Sequence, residues 1–238
     1  MRRLAEAALL TLMLACIPAI AQMQPLVDPV QQVVNAGLMT PAKDGQFREE
    51  APLSRAELAR ILVKTFELEQ RFSGSESHFQ PVQLADVPVM HWAYADIQAV
   101  LQTGLMTKFP GDRFLPDQPV TRAEGFAVIA QASQLPKPQG KQIAQVLSRY
   151  ADANQVPAWA KDPLAVALSN GLVNWLDVNQ SKYIAPQQPL TRGDAARSLS
   201  VYLNQRQARR RLWDRSTNSS QLQPRASVIV PSFNQTFS

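Results

Sequence analysis

The sequence predicts an all-α protein built from three tandem helix-loop-helix units, and two recurring patterns carry this prediction. A motif of the form Ser/Thr-Arg-small-acid occurs three times, at 54–57, 121–124 and 191–194. A Gly-Leu pair precedes the motif arginine by 18 residues in the first two units and by 21 residues in the third. Because two short amphipathic helices cannot bury their apolar faces alone, we expect the three units to pack on one another.

The second helix of each unit begins at the repeated motif, which has the form of a capping box. In such a box the hydroxyl accepts the backbone N–H of the acid three residues later, and the carboxylate accepts the backbone N–H of the hydroxyl residue. The predicted structural caps are Ser54 with Glu57, Thr121 with Glu124, and Thr191 with Asp194. Aspartate is shorter than glutamate, so we expect the third box to close less well.

The first helix of each unit is predicted to end at the recurring glycine, which tolerates the left-handed conformation found at helix C-termini. The predicted first helices and their stops are 29–36 with Gly37, 92–103 with Gly104, and 158–170 with Gly171. The three extra residues of the third unit fall within 175–182. Polar or proline-bearing joints separate the units at 73–82 and 136–140.

Positive charge is concentrated at the C-terminal end of the chain. The net charge is +5, but residues 22–204 carry 16 basic and 17 acidic side chains, whereas residues 205–238 carry six arginines and one aspartate. The basic balance therefore gives no evidence of a nucleic-acid-binding core. Residues 205–215 are expected to extend the last helix, either as a solvated end or as a contact for anionic polymer or a lipid surface. Residues 217–238 are expected to be largely disordered.

The first 21 residues have the pattern of a secretory signal peptide that is cut before Gln22. Arg2 and Arg3 precede a short apolar stretch, and a small-residue A-x-A site follows it. The stretch is too short to favour a membrane anchor, and a lipoprotein attached through Cys16 is a lesser alternative. We therefore expect an exported envelope protein, in the periplasm or at the cell surface. Cleavage would remove Cys16, the one cysteine of the chain, and with it any thiol chemistry.

Aligned in this way, the repeats resemble the S-layer homology domain family, in its usual set of three. The second unit keeps the family's motifs in order: Leu84-Ala85-Asp86-Val87, His91-Trp92-Ala93, Gly104-Leu105-Met106, Phe114-Leu115-Pro116 and Thr121-Arg122-Ala123-Glu124. The third unit keeps Tyr150-Ala151-Asp152, Trp159-Ala160 and a Thr-Arg-Gly-Asp form of the last motif. The first unit lacks both the opening aspartate-valine and the tryptophan. The resemblance covers residues 26–204.

The resemblance implies a pseudo-threefold, three-pronged module with repeats at 22–72, 82–135 and 148–204, followed by a basic tail at 205–238. It also implies an exported, non-catalytic protein that binds peptidoglycan-linked secondary cell-wall polysaccharide, often pyruvylated, through grooves between adjacent repeats. Such a protein anchors itself or a partner to the wall. The alternative is an envelope adaptor that binds another envelope or outer-membrane protein and recognises no sugar.

Arg55, Arg122 and Arg192 are the candidate ligand-binding cations, since each is the first residue of a capped helix. A helix N-terminus offers free N–H groups and a partial positive charge, and a guanidinium beside it forms a bidentate fork for a carboxylate. The alternative is that each arginine pairs with a box carboxylate or a neighbouring acid and holds the fold. Because the first unit departs from the family pattern, we rank the grooves of Arg122 and Arg192 above that of Arg55.

Trp92, Trp159, Asp86 and Asp152 complete the binding set that the resemblance implies. An indole ring stacks on the C–H face of a sugar and its N–H reaches a hydroxyl, but both tryptophans are as readily explained by packing in the core or between units. The two aspartates either accept sugar hydroxyls or cap the following loop, and the sequence does not separate these two roles.

The sequence shows no catalytic, cofactor-binding or metal-ligating set. It has no serine nucleophile elbow and no phosphate loop, and His91 has only His78 as a companion. Counting acids does not exclude a carboxylate pair for sugar hydrolysis, but the repeated acids stand at capping positions. Three copies of one site favour multivalent binding. We therefore predict a protein without enzyme activity, cofactor, metal or nucleic-acid partner.

Overall fold

The computed structural model describes residues 28–68 and 80–220, with side chains as far as residue 217. The predicted signal peptide, its lipoprotein alternative and residues 221–238 lie outside these residues. In chain order the elements are α1 (Pro29–Asn35), α2 (Arg55–Phe66), α3 (Tyr94–Gln102), α4 (Arg122–Ser133), α5 (Lys141–Leu147), two 3₁₀ turns (Ala153–Gln155 and Ala158–Ala160), α6 (Lys161–Ser169), β1 (Leu176–Val178), β2 (Ser181–Tyr183) and α7 (Arg192–Ser220). The all-α class is confirmed.

Local signals in the sequence account for where the first helix of each repeat ends and where the second helix begins. The helices α2, α4 and α7 begin directly after Ser54, Thr121 and Thr191, the predicted caps. The helices α1, α3 and α6 end just before the recurring glycine, which has a φ of 69° or 70° in all three repeats. A left-handed φ favours glycine because a Cβ atom would be strained there. Each predicted first helix is confirmed to within a few residues.

The extra residues of the third repeat form a β-hairpin. Strands β1 and β2 pair antiparallel, with Leu176 opposite Tyr183 and Val178 opposite Ser181. Asn179 and Gln180 between them have φ values of 50° and 64°, as a two-residue type I′ turn requires. The insertion therefore lengthens the loop that leads into the second helix without disturbing either helix of that repeat.

Two helices differ from the sequence prediction. The sequence indicates a joint at 136–140 and a third repeat that begins at 148, but α5 occupies Lys141–Leu147, before that repeat, and packs against α6. Helix α7 is continuous to Ser220, through the predicted repeat boundary at 204 and into the segment expected to be disordered. The predicted domain limits otherwise stay predictions.

The three repeats contact one another in cyclic order. The second helix of each repeat packs against the first helix of the next, since α2 contacts α3, α4 contacts α6, and α7 contacts α1. Three backbone hydrogen bonds link the residues that precede the motifs: Leu53 N–H to the Leu190 carbonyl (2.8 Å), Leu190 N–H to the Val120 carbonyl (2.8 Å), and Val120 N–H to the Leu53 carbonyl (2.9 Å). All three side chains are buried in one core shared by the repeats.

Close packing at this junction depends on a glycine. A Cβ atom on Gly125 of α4 would stand 2.4 Å from Cδ2 of Leu190, well inside van der Waals contact, so α4 approaches its neighbour only because this position has no side chain. The pseudo-threefold, three-pronged shape stays a prediction. Among the residues described, no helix combines the length and apolar character needed to cross a membrane.

Candidate functional site

The motif arginines do not face solvent at the helix ends but reach into the following repeat. Arg55 donates from Nε to the Phe114 carbonyl (2.8 Å) and from Nη2 to the Thr107 carbonyl (2.7 Å). Arg122 makes the same two contacts with the Ile184 and Asn174 carbonyls, and Arg192 makes them with the Phe47 and Thr40 carbonyls. We call these three sets of contacts the arginine interlock.

Each motif arginine also lies near the capping-box acid of the next repeat. The closest nitrogen–oxygen distances are 4.0 Å for Arg55 with Glu124, 2.6 Å for Arg122 with Asp194, and 2.9 Å for Arg192 with Glu57. The arginines are therefore cross-linking residues, which is the alternative that the sequence left open. Their direct contact with a ligand stays a prediction.

The expectation of free N–H groups beside these guanidiniums is wrong. The first two backbone N–H groups of each second helix donate to the loop of the next repeat, at distances of 2.8 to 3.0 Å. Arg55 and Ala56 donate to the Gln118 and Pro116 carbonyls, Arg122 and Ala123 to the Gln188 and Pro186 carbonyls, and Arg192 and Gly193 to the Ala51 and Glu49 carbonyls. Protein carbonyls thus occupy the place that an anion would take.

The opening aspartates hold the loops that receive these contacts. The Asp86 carboxylate accepts the backbone N–H groups of Phe114 (2.8 Å) and Leu115 (2.7 Å). Asp152 accepts those of Ile184 (2.9 Å) and Ala185 (2.7 Å) in the same way. Leu115 and Ala185 have φ values of 58° and 54°, a strained region for residues with a side chain. The structure therefore shows the loop-capping role for both aspartates.

All three capping boxes are closed. The hydroxyls of Ser54 and Thr121 each accept an N–H at 3.2 Å, and the Glu57 and Glu124 carboxylates accept the return N–H at 3.0 and 3.1 Å. In the third box both distances are 3.1 Å. The expectation that Asp194 closes its box less well is wrong.

Two grooves run beside the second helices of the first two repeats. Groove A has a volume of about 380 Å³ and is lined by Leu38, Met39, Thr40, Ser54, Glu57, Arg60, Ile61, Lys64, Trp92, Asp117 and Arg192. Groove B has a volume of about 440 Å³ and is lined by Arg55, Leu58, Gly104, Leu105, Met106, Thr107, Phe109, Val120, Glu124, Ala127, Val128, Gln131 and Trp159. Each groove combines residues from all three repeats.

The two predicted tryptophans stand at the grooves with much of their rings exposed. Trp92 of the second repeat lines groove A and is 50% exposed, and Trp159 of the third repeat lines groove B and is 58% exposed. Packing in the core is therefore wrong for both tryptophans, whereas packing between units is seen at Trp92, because the Arg60 guanidinium of the first repeat lies 4.3 Å from its ring centroid. The exposed Trp159 indole, at the rim of groove B, is available for stacking against a ring-shaped ligand.

Arg122 lines neither groove A nor groove B. Its guanidinium is 2% exposed and pairs with Asp194, which also accepts a hydrogen bond from Asn174 at 2.6 Å. Arg55 lines groove B and Arg192 lines groove A, and the ranking of the grooves stays a prediction. Burial also lowers the pKa of Arg55, an effect that the charge of Glu124 opposes.

Several residues that line the grooves lie outside the repeated motifs and were not predicted as site residues. Arg60 and Lys64 lie on α2 three and seven residues after Glu57, on the same helical face as the capping acid, and Gln131 occupies the position of Lys64 on α4. Helical periodicity counted from the capping acid could have found them.

Beyond the repeats, the end of α7 carries exposed arginines and two exposed apolar side chains. Leu212 and Trp213 are 65% and 70% exposed. Arg206 pairs with Glu67 at 2.9 Å and lowers its pKa through that hydrogen bond. Across residues 28–68 and 80–220, no group of three or more His, Cys, Asp or Glu side chains could hold a metal ion.

Comparison with known proteins gives one family. The model of the S-layer homology domain matches residues 84–124 and 149–196. The chain is 31% identical over 169 residues to the surface-layer 125 kDa protein of Lysinibacillus sphaericus. The aligned region covers 71% of this chain and 13% of that protein. It is also similar to two proteins of Acetivibrio thermocellus, cell surface glycoprotein 1 (32% over 136 residues) and the cellulosome-anchoring protein (33% over 85 residues), covering 55% and 36% of this chain.

The similarity is confined to a small part of each relative. The chain spans 13%, 6% and 18% of the lengths of these three proteins. What they share with this chain is therefore the repeat module, and the remainder of each relative has no counterpart in the alignment.

The buried pair of Arg122 and Asp194 predicts an acid-sensitive contribution to stability. Burial alone would raise the pKa of Asp194, but the hydrogen bond from Asn174 and the charge of Arg122 outweigh it and hold that pKa below its ordinary value. A carboxylate whose pKa is lower in the folded state than in the unfolded state stabilises the fold at pH values above the unfolded pKa of about 3.9. This contribution to stability is lost as the pH falls through the folded-state pKa. Asp194→Asn should cost about 3 kcal/mol at pH 7.

Urea unfolding at pH 7 and between pH 4 and pH 2 measures both effects. The parent should lose more stability over the acid range than the variant does. Asp177→Asn, in the exposed hairpin, is the control and should unfold like the parent. An Asp194→Asn protein with the parent's stability and acid sensitivity would contradict the role assigned to this ion pair.

Proposed function

Since this chain carries S-layer homology domains and belongs to that family, we propose that it binds cell-wall polysaccharide through grooves A and B and thereby attaches itself, or a partner, to the wall. The module is a cell-wall-binding one that is generally non-catalytic. Relatives named as surface-layer and cellulosome-anchoring proteins support a location in the cell envelope. The polymer we propose is a peptidoglycan-linked secondary polysaccharide, with pyruvate as its charged group where it has one.

The observation that carries the proposal is the shared plan of the two grooves. Each has an exposed tryptophan at its rim, a motif arginine and a capping glutamate in its wall, and a Leu-Met pair that follows the helix-ending glycine. Aromatic faces, hydrogen-bonding side chains and a partly apolar floor are the features that bind the two faces of a sugar ring. Two such grooves on one rigid module bind a repeating polymer with a high effective concentration at the second groove.

Within this proposal the predicted residues divide into two groups. Trp92, Trp159, Arg55 and Arg192 line the grooves and are proposed to meet the glycan or to fix the groove wall. Arg122, Asp86 and Asp152 are proposed to act indirectly, through the interlock and the loops that they hold. The exposed arginines of α7 are proposed to add non-specific attraction for an anionic polymer or lipid surface.

The capping acids are poorly placed to act as catalytic carboxylates. In groove A, one oxygen of Glu57 accepts the Ser54 N–H and the other accepts a hydrogen bond from Arg192. A general acid or base needs a carboxylate oxygen that is free to reach the substrate, but these contacts occupy both oxygens of Glu57. We therefore propose that the module binds glycan without cleaving it.

The groove proposal predicts that removing both rim tryptophans abolishes wall binding. Trp159→Ala should weaken binding about tenfold, the loss expected for about 1.4 kcal/mol of stacking. Trp92→Ala should weaken binding to a similar extent, because the Trp92 ring holds the Arg60 guanidinium over groove A. The double variant should lose more than the single variants because the second groove no longer adds avidity. The measurement is sedimentation of the protein with purified cell-wall sacculi over a concentration series.

Trp213→Ala is the matched control because Trp213 is exposed on α7 and lines neither groove. It should sediment like the parent, and circular dichroism should show that all the variants keep their helices. If the double variant binds sacculi as tightly as the parent does, the grooves are not the wall-binding sites.

The exposed end of α7 favours a second candidate function, that of an adaptor for another envelope protein. Leu212 and Trp213 are adjacent apolar side chains on a helix that extends beyond the repeat core. Aromatic residues of this kind are frequent anchors in protein interfaces. This candidate needs no sugar and leaves the grooves unused.

Retention from an envelope extract distinguishes the two candidates. On the wall-binding account, complete enzymatic digestion of the wall releases the protein, and Leu212→Ala/Trp213→Ala is released like the parent. On the adaptor account, the parent stays bound to envelope protein after digestion and the double variant does not. The second result would replace the wall-binding proposal.

A further inference from the structure

Grooves A and B share a plan but differ at two corresponding positions on their helices. The positions are the sixth and tenth residues of the second helix that lines each groove. They hold Arg60 and Lys64 on α2 in groove A, and Ala127 and Gln131 on α4 in groove B. Building on the wall-binding function proposed above, we propose that the grooves recognise different chemistry. Groove A takes an anionic group, such as the carboxylate of an acidic sugar, whereas groove B takes the C–H face of an uncharged sugar ring.

In groove A, an arginine covers the tryptophan. The Arg60 guanidinium lies 4.3 Å from the centroid of the Trp92 ring. It is fixed there by a hydrogen bond from Nη2 to the Trp92 carbonyl (2.7 Å) and by another from Nε to Asp96 (3.0 Å). A cation stacked on a ring face occupies the surface that a sugar would use. Groove A therefore presents charge where an uncovered ring would present a stacking surface.

Lys64 supplies the further cation of groove A. It is exposed on α2, and its ammonium donates to the Gly37 carbonyl at 3.2 Å. Within the part of the chain that the structure describes, its nitrogen has no carboxylate within 4.0 Å. Among the other charges of the groove, Arg192 is paired with Glu57, Arg60 is held by Asp96, and Asp117 contributes an acid to the lining. Lys64 is thus the cation best placed to meet an incoming anion.

In groove B, the corresponding tryptophan is uncovered. Ala127 replaces Arg60 and is 1% exposed, so it has no side chain that could reach the ring. Pro163 occupies the position that Asp96 has relative to its tryptophan, so the acid that orients Arg60 is missing as well. Among the described residues, no cation or aromatic ring contacts the Trp159 ring.

The remaining charges of groove B offer little to an anion. Arg55 is the cation in its lining, but it is 5% exposed and donates to two backbone carbonyls. Glu124, 4.0 Å from this guanidinium, adds a negative charge. Stacking on an exposed indole does not depend on salt, whereas attraction between an exposed ammonium and a carboxylate is screened by salt. The two grooves should therefore also differ in their salt dependence.

The test follows the indole N–H signals of the full ¹⁵N-labelled chain, assigned by single tryptophan substitutions, as two defined probes are added. The anionic probe is the trimer of galacturonic acid and the neutral probe is the trimer of N-acetylglucosamine. The galacturonate trimer should shift the Trp92 signal, with an effect that weakens in high salt. The N-acetylglucosamine trimer should shift the Trp159 signal equally at low and high salt.

Two exposed positions allow a matched exchange of charge. Lys64→Gln should weaken the response of Trp92 to the galacturonate trimer about fivefold, as expected for one exposed ion pair. Gln131→Lys should give Trp159 a new response to that probe. Both residues are exposed, so neither substitution should disturb the fold.

Three outcomes would overturn the inference: both indoles responding alike to each probe, neither indole responding to either probe, or charge exchange at 64 and 131 leaving the responses unchanged. None of these outcomes removes the wall-binding proposal, because that proposal is tested separately by sedimentation of the tryptophan variants. Loss of sedimentation in those variants together with indistinguishable grooves would mean that the wall is bound but that the grooves recognise the same chemistry.

Discussion

The structure depends on one interaction that is repeated around the module: a motif arginine donates to two backbone carbonyls of the next repeat. The set closes on itself, because Arg192 of the third repeat reaches the Phe47 and Thr40 carbonyls of the first. A buried guanidinium is costly unless its donors are satisfied, and each arginine finds its acceptors only in the neighbouring repeat. No repeat is therefore complete alone, and the recurrence of the motif is explained by the junctions.

The grooves are a consequence of this arrangement. Because the second helix of one repeat packs on the first helix of the next, the tryptophan near the start of that first helix faces a wall built from the preceding repeat. The motif arginine of the remaining repeat closes the same cavity. Beside α7, the second helix of the third repeat, the corresponding wall holds Asn174, Asp194 and Arg122 in a hydrogen-bonded network. The same plan thus places a different set of polar side chains in this wall.

Sequence reasoning succeeded where structure is local and failed where the partner is remote. Capping boxes and helix-ending glycines are decided within a few residues, so the starts of α2, α4 and α7 could be predicted closely. The acceptors of Arg55 are carbonyls of residues 52 and 59 positions away, and a carbonyl has no signature in the identity of its residue. The exposure of Trp92 and Trp159 could not be predicted for the same reason, because it also depends on residues that are distant in the sequence. Helix α5 was missed because it is only seven residues long, has no side-chain cap and lies outside the repeated motifs.

The central claim, that the interlock joins the repeats into one cooperative unit, is tested most directly by native-state hydrogen exchange. The amides of Leu53, Val120 and Leu190 donate to one another's carbonyls around the junction. If the claim is right, all three exchange only through global unfolding and share one free energy of opening. If the amide of one repeat exchanges at a much lower free energy than the other two, the repeats open independently and the account is wrong.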